Sequence, residues 1–194
     1  MTEIITWFIL LYLISILAVP IVFYVVKMLP DRGYSIARPI SLLLVFYPLW
    51  LISSTPIFSN SLSWFPQGAT IWLIILTILT GSLLLFIRQK NEIILFVRKE
   101  FTTIIAVEGV FVAVLIFWML IRLNDPSISH TEQPMDFAFL NASAITNHFP
   151  PQDPWLSGET INYYYFGYLI FGCFSQLAGV SLEVGYNLAL ITVA

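Results

Sequence analysis

Four stretches of this 194-residue chain, at about residues 4–28, 39–58, 69–87 and 102–123, are each apolar over roughly the length of a bilayer crossing. A hydrocarbon core about 30 Å thick takes roughly 20 apolar residues in a helix rising about 1.5 Å per residue. The spacing therefore predicts four transmembrane helices. A fifth stretch, about 164–180, is short but long enough to be considered a span. A sixth, 182–194, is too short and reads as the start of a helix that the sequence leaves unfinished, so the chain is expected to be a fragment of a longer protein. The fold class that follows is all-α, a polytopic transmembrane helical bundle.

Composition agrees. The chain is 59% hydrophobic and only 10% charged, whereas soluble domains average about 25% charged residues. A net charge of −3 leaves no basic face to neutralise phosphates, which argues against a nucleic-acid partner and leaves the lipid bilayer as the partner the chain must meet. Cys173 is the single cysteine and sits in an apolar run; it reads as a small buried hydrophobe. Glu3, and no basic residue, precedes the first apolar run, so that run reads as an uncleaved span rather than a secretory signal.

Orientation follows from the basic residues. Lys27, Arg32 and Arg38 fall between the first and second spans, and Arg88, Lys90, Arg98 and Lys99 between the third and fourth; only Arg122 lies elsewhere. The positive-inside rule then places the N-terminus and the loops 59–68 and 124–163 outside a plasma membrane that the chain crosses several times. The 89–101 linker, QKNEIILFVRKEF, alternates charge with aliphatic residues and suggests a short interfacial helix. Trp7, Trp50, Trp64, Trp72 and Trp118 fall mostly near span ends, where indole rings favour the interface.

The 124–163 loop is too long to be a plain connector. It holds Asp125, Glu132, Asp136, Asp153 and Glu159, five of the chain's 11 acidic residues, and both histidines, His130 and His148. Pro134 fits a helical first turn with Thr131 or Ser129 as cap, and Phe137, Leu140, Ala144 and Ile145 recur at helical spacing. An amphipathic surface helix is predicted from Pro134 to about Thr146. If it starts early enough, Glu132 and Asp136 share a face. Pro150, Pro151 and Pro154 impose an extended return, where Asp153 suits an Asx turn, and Ser157-Gly158 marks another turn. Tyr163, Tyr164, Tyr165, Phe166 and Gly167 lead back toward the membrane.

The segments MDFAFLNA, FPPQDPW and INYYYFG resemble the hallmarks of a family of hydrophobic membrane proteins marked by a Tyr-Tyr-Tyr-x-Gly motif, matched here by Tyr163 to Gly167. That family is similar to the C-type membrane glycosyltransferases. The resemblance implies transfer of a sugar from a polyprenyl-phosphate-linked donor at the outer face. It also implies an essential acidic residue in the first large outer loop, where Asp136 leads DFAFLNASAITNHF. Three helices precede the outward-crossing helix here, one respect in which the chain departs from the glycosyltransferase pattern.

Asp136 and Glu132 are the candidate catalytic carboxylates, either as general base toward an acceptor hydroxyl or as ligands for a divalent cation on the donor phosphate. Tyr163, Tyr164, Tyr165, His148, Asp153 and Trp155 are the candidate substrate-binding residues. Three consecutive tyrosines point in three directions, so at least one should face inward. Glu108, inside the fourth span near its cytoplasmic end, is expected to snorkel to the membrane surface or to pair with a basic residue such as Arg98 or Lys99. A non-catalytic scaffold and a transporter component are the alternative functions.

Overall fold

The computed structural model describes residues 2–55 and 67–194; Trp64 and most of the 59–68 loop lie outside the described residues. Seven helices are present among those residues: α1 (Thr2–Val25), α2 (Ala37–Ser54), α3 (Gln67–Lys99), α4 (Phe101–Asn124), α5 (Gln133–Ile145), α6 (Phe166–Ala178) and α7 (Leu182–Val193). The first four are long and apolar enough to cross a bilayer, which makes this an all-α, polytopic membrane protein. The one strand-like feature among the described residues is an isolated antiparallel bridge between Gln152 and Thr160.

α1 and α2 pack as an antiparallel pair, closed by a turn in which Asp31 accepts hydrogen bonds from the Gly33 and Ser35 N–H groups at 3.1 and 2.9 Å. Gly33 sits at φ +78°, and a Cβ there would lie 2.6 Å from a Val22 methyl. Both the backbone and the space therefore require glycine. One side of each helix turns inward: Trp7, Leu11 and Ile14 from α1 meet Leu42, Val45, Phe46 and Leu49 from α2 and Ile71 and Ile74 from α3. The outward stripe of α1, Ile5, Ile9, Leu13 and Ile16, stays exposed and faces lipid. Because lipid is as apolar as these side chains, close packing rather than the hydrophobic effect holds such helices together.

α3 continues unbroken through residues predicted to form a separate interfacial helix, ending only at Lys99. The cause is packing: Ile93 is buried, and Phe96 meets Phe23 of α1 edge to face at 5.4 Å. Trp7, expected as an interfacial anchor, is instead fully buried.

No residue of α4 is buried. Its inward side is one stripe, Glu108, Phe111, Leu115, Met119 and Arg122, of which the three apolar members pack partly against the core. Glu108 does not reach Arg98 or Lys99. It pairs with Arg38 at 2.8 Å and accepts hydrogen bonds from Tyr12 at 2.9 Å and Tyr34 at 3.0 Å. The Arg38 guanidinium also lies 3.7 Å from the Phe111 ring centre. The sequence places Arg38 at the start of α2, beside Glu108 in space but remote along the chain.

α6 has thirteen residues, about 20 Å at about 1.5 Å per residue, which falls short of a bilayer core. Its first turn meets Tyr47 and Trp50 near the C-terminal end of α2. Just beyond its last turn, the Ser181 N–H reaches Glu3 at the N-terminal end of α1. In the antiparallel α1–α2 pair those are the same end, so α6 lies across it. Close approaches fit the cap together: a Cβ on Gly172 would stand 2.9 Å from the Leu140 carbonyl of α5.

Two measurements follow. Arg38→Met or Glu108→Met alone strands a half-buried charge and lowers thermal stability in detergent by about 3 kcal/mol, whereas the double variant recovers most of that loss. A double variant no better than the worse single one would show that the pair is not coupled. Gly172→Ala crowds backbone and lowers stability by about 1–3 kcal/mol, while Gly81→Ala, with nothing within 4 Å of the added carbon, leaves it unchanged.

Candidate functional site

The loop residues gather on the bundle end capped by α5, α6 and α7. α5 begins where expected, with Pro134 in its first turn. Neither Thr131 nor Ser129 caps it. Thr131 takes a left-handed backbone at φ 44°, and Glu132 is the N-cap without a side-chain hydrogen bond. Asp136 lies in the first helical turn, where the helix dipole favours a carboxylate.

The Asp136 carboxylate points at α6 and α7. The Tyr168 hydroxyl donates a short hydrogen bond to Oδ1, and the buried Tyr186 hydroxyl lies 3.5 Å from Oδ2. Next to Tyr186 in sequence, Asn187 accepts a 2.8 Å hydrogen bond from Arg122 Nε. The end of α4 is thereby fixed to α7 beside the carboxylate. Glu132 is exposed and does not join this cluster. Among the described residues no three His, Cys, Asp or Glu side chains are close enough to hold a metal ion.

The tyrosine triplet divides. Tyr165 turns inward, accepts a 2.8 Å hydrogen bond from Trp50 Nε1 and stacks on Phe149 with ring centres 6.2 Å apart. Tyr163 and Tyr164 stay about half exposed, their ring centres 3.8 Å apart, and Tyr164 lies 6.0 Å from Tyr168. The adjacent Tyr163 hydroxyl, partial loss of hydration and the Glu132 carboxylate together raise the Tyr164 phenol above its ordinary pKa. With Tyr47, Trp50 and Phe166, the triplet lines an aromatic groove of about 300 Å³. Tyr47 also belongs to the exposed stripe Leu43, Tyr47 and Leu51 of α2, so the groove is continuous with the lipid-facing surface.

The other predicted residues are spread out. Asp153 makes the Asx turn: Oδ1 accepts the Trp155 N–H at 2.8 Å and the Leu156 N–H at 3.2 Å. Trp155 is exposed, and so is His148, whose hydrogen bonds run through its backbone to Thr146. His130 binds Asp125 at 2.7 Å; Ser127 first, then His130, holds the Asp125 carboxyl down at about 2. Neither Tyr168 nor Tyr186 belongs to a recognisable motif, so the sequence does not single them out. The one available signal for Tyr168 was its position, one helical turn after Tyr164.

An all-α chain with four bilayer-length helices and a polar cluster at one bundle end is an integral membrane protein of the multi-pass class. Residues 44–194 match the uncharacterized membrane protein family DUF2298, and the chain belongs to that family. No curated protein and no solved structure matches it.

The triplet's division is testable by thermal unfolding in detergent. Tyr165→Phe removes the acceptor of the half-buried Trp50 N–H and lowers stability by about 1–3 kcal/mol. Tyr163→Phe and Tyr164→Phe, at exposed rings, change it by no more than about 0.5 kcal/mol. Equal losses at all three positions would refute the division.

Proposed function

We propose that this protein is an integral-membrane glycosyltransferase that takes its sugar from a polyprenyl-phosphate-linked donor, with Asp136 as its catalytic carboxylate. The observation that carries this reading is the placement of Asp136. It is fixed by phenols from two helices, at a bundle end, beside an aromatic groove that opens onto the lipid-facing side of α2. By the positive-inside rule that end faces outward.

The groove walls are almost entirely carbon, which suits an isoprenyl chain arriving from the bilayer. Tyr163 and Tyr164 at its rim lead through Tyr168 to the carboxylate. Asp136 accepts the proton of the acceptor hydroxyl as that oxygen attacks the anomeric carbon. The bond from that carbon to the phosphate oxygen breaks, and polyprenyl phosphate leaves with the bonding electrons. Tyr168 positions the carboxylate. Glu132, at the helix start near Tyr164, is the secondary acidic candidate. A divalent cation shared by Asp136 and Glu132 would have to displace the tyrosine hydroxyls now on Asp136.

The test is sugar transfer from polyprenyl-phosphate donors by the full-length protein in lipid. Asp136→Asn, which keeps the shape and one acceptor, is expected to lower transfer by about 100-fold or more. Tyr168→Phe is expected to lower it less and to change its pH profile. Undiminished transfer by Asp136→Asn would overturn the assignment.

A further inference from the structure

α5 has two working faces. Asp136, Leu140, Ser143 and Ala144 turn toward α6 and α7, as shown by the Tyr168 hydrogen bond, the approach of Gly172 to Leu140 and Ala144, and burial of the last three. The other side bears Pro134, Asn141 and Ile145, with Phe137 at its margin, where that ring also meets Tyr186 of α7 edge to face at 5.9 Å. Across from it runs the proline-rich return, carrying Gln152 and Asp153. Between them lies a groove of about 700 Å³, within the roughly 300–1,000 Å³ typical of small-molecule sites. Neither the Asp136 carboxylate nor the aromatic groove of Tyr163 and Tyr164 belongs to it.

We infer that this second groove is a binding site for an uncharged saccharide. The polar inventory of its walls specifies the ligand. Asp153 Oδ1 is occupied by the Trp155 and Leu156 N–H groups, which leaves Oδ2 as a free acceptor. Asn141 spends one amide N–H on the Phe137 carbonyl at 2.7 Å, which leaves Oδ1 and the second N–H. The Thr146 hydroxyl is already donated to the His148 carbonyl at 2.7 Å. With the Gln152 side-chain amide, what remains is carbonyl and carboxylate acceptors together with amide N–H donors, so the ligand must both give and accept hydrogen bonds. Phe137, Pro134 and Ile145 offer an apolar bed. A sugar ring presents both hydroxyl donors and an apolar C–H face. The one charged side chain in the lining, Asp153, is negative and repels phosphates and carboxylates.

Asp153 thus serves both readings made of it: one carboxylate oxygen holds the turn and the other faces the ligand. The inference goes beyond the glycosyltransferase reading, because the Asp136 carboxylate lies outside this groove and a saccharide held in it is a ligand separate from the acceptor. The binding itself is independent of Asp136.

The experiment is saturation-transfer NMR on the full chain in phosphatidylcholine nanodiscs. The probes are free maltose, cellobiose and lactose, the same disaccharides carried on an alkyl lipid, inorganic phosphate and spermidine. At least one disaccharide is expected to bind, with affinity lowered about tenfold by Asn141→Leu and by Asp153→Asn. Asp153→Asn keeps the oxygen that holds the turn, so its loss reports the ligand-facing oxygen. Binding of free disaccharide assigns a soluble glycan, and binding only of the lipid-carried form assigns a glycolipid. Asp136→Asn is expected to leave binding unchanged while lowering transfer by about 100-fold or more, which separates failure of this inference from failure of the catalytic one. No disaccharide binding, binding indifferent to both groove substitutions, or preferential binding of phosphate or spermidine would overturn it.

Discussion

Trp7 is the contact on which the capped end depends. Its ring is fully buried one turn from the start of α1, with the Phe174 ring centre 4.6 Å away, edge to face, and Phe171 parallel at 6.2 Å. Its Nε1 donates to Thr192 of α7 at 3.1 Å. One side chain of a membrane-crossing helix thereby fixes both short helices that supply Tyr168 and Tyr186 to Asp136. In a lipid solvent, where apolar association gains little from water, such dense contact and one satisfied N–H are what can hold a cap in register. The Ser181 N–H bond to Glu3 secures the same junction from its polar side.

α4 shows how few polar contacts suffice when lipid covers the rest. Glu108 ties it to Arg38, Tyr12 and Tyr34, and fourteen residues later Arg122 ties it to Asn187. The two contacts lie on one stripe, so they fix the rotation of the helix as well as its position. A buried ion pair adds little stability over a well-packed apolar pair, yet breaking it is severe, and so it specifies arrangement more than it strengthens it. Arg122, the one basic residue that departs from the positive-inside pattern, has this role at the capped end.

Much of the architecture was legible because bilayer crossing imposes a length on apolar runs, and Pro134 and Gly158 mark a helix start and a turn that the structure keeps. What the sequence hid was long-range partnership. Trp7 has the hydropathy and position of an interface anchor, and only the rings of α6 show it to be core. The linker after Ile87 looked separable because its charges interrupt the apolar pattern, whereas Ile93 and Phe96 continue α3 by packing on α1. At the site, Asp136 stood out through its helix start and its resemblance. Tyr168, which holds it, looked like one more aromatic in an apolar run.

The three adjacent tyrosines show how a local motif serves separate ends. The chain bends at Tyr163 and Tyr164 before α6 opens with Tyr165 as its N-cap, so the triplet does not present one surface. Tyr165 faces the bundle and is spent on Trp50 and Phe149, while Tyr163 and Tyr164 remain as the exposed pair. The inward tyrosine fixes where α6 begins, and that start sets Tyr168 one turn further on, toward Asp136. α5 likewise divides: its carboxylate faces the phenols of α6 and α7, while Asn141 and Ile145 line the second groove. Two chain segments, each with residues aimed at different neighbours, therefore accompany two grooves of different chemistry, one aromatic and continuous with lipid, the other lined by amide and carboxylate groups beside an apolar bed.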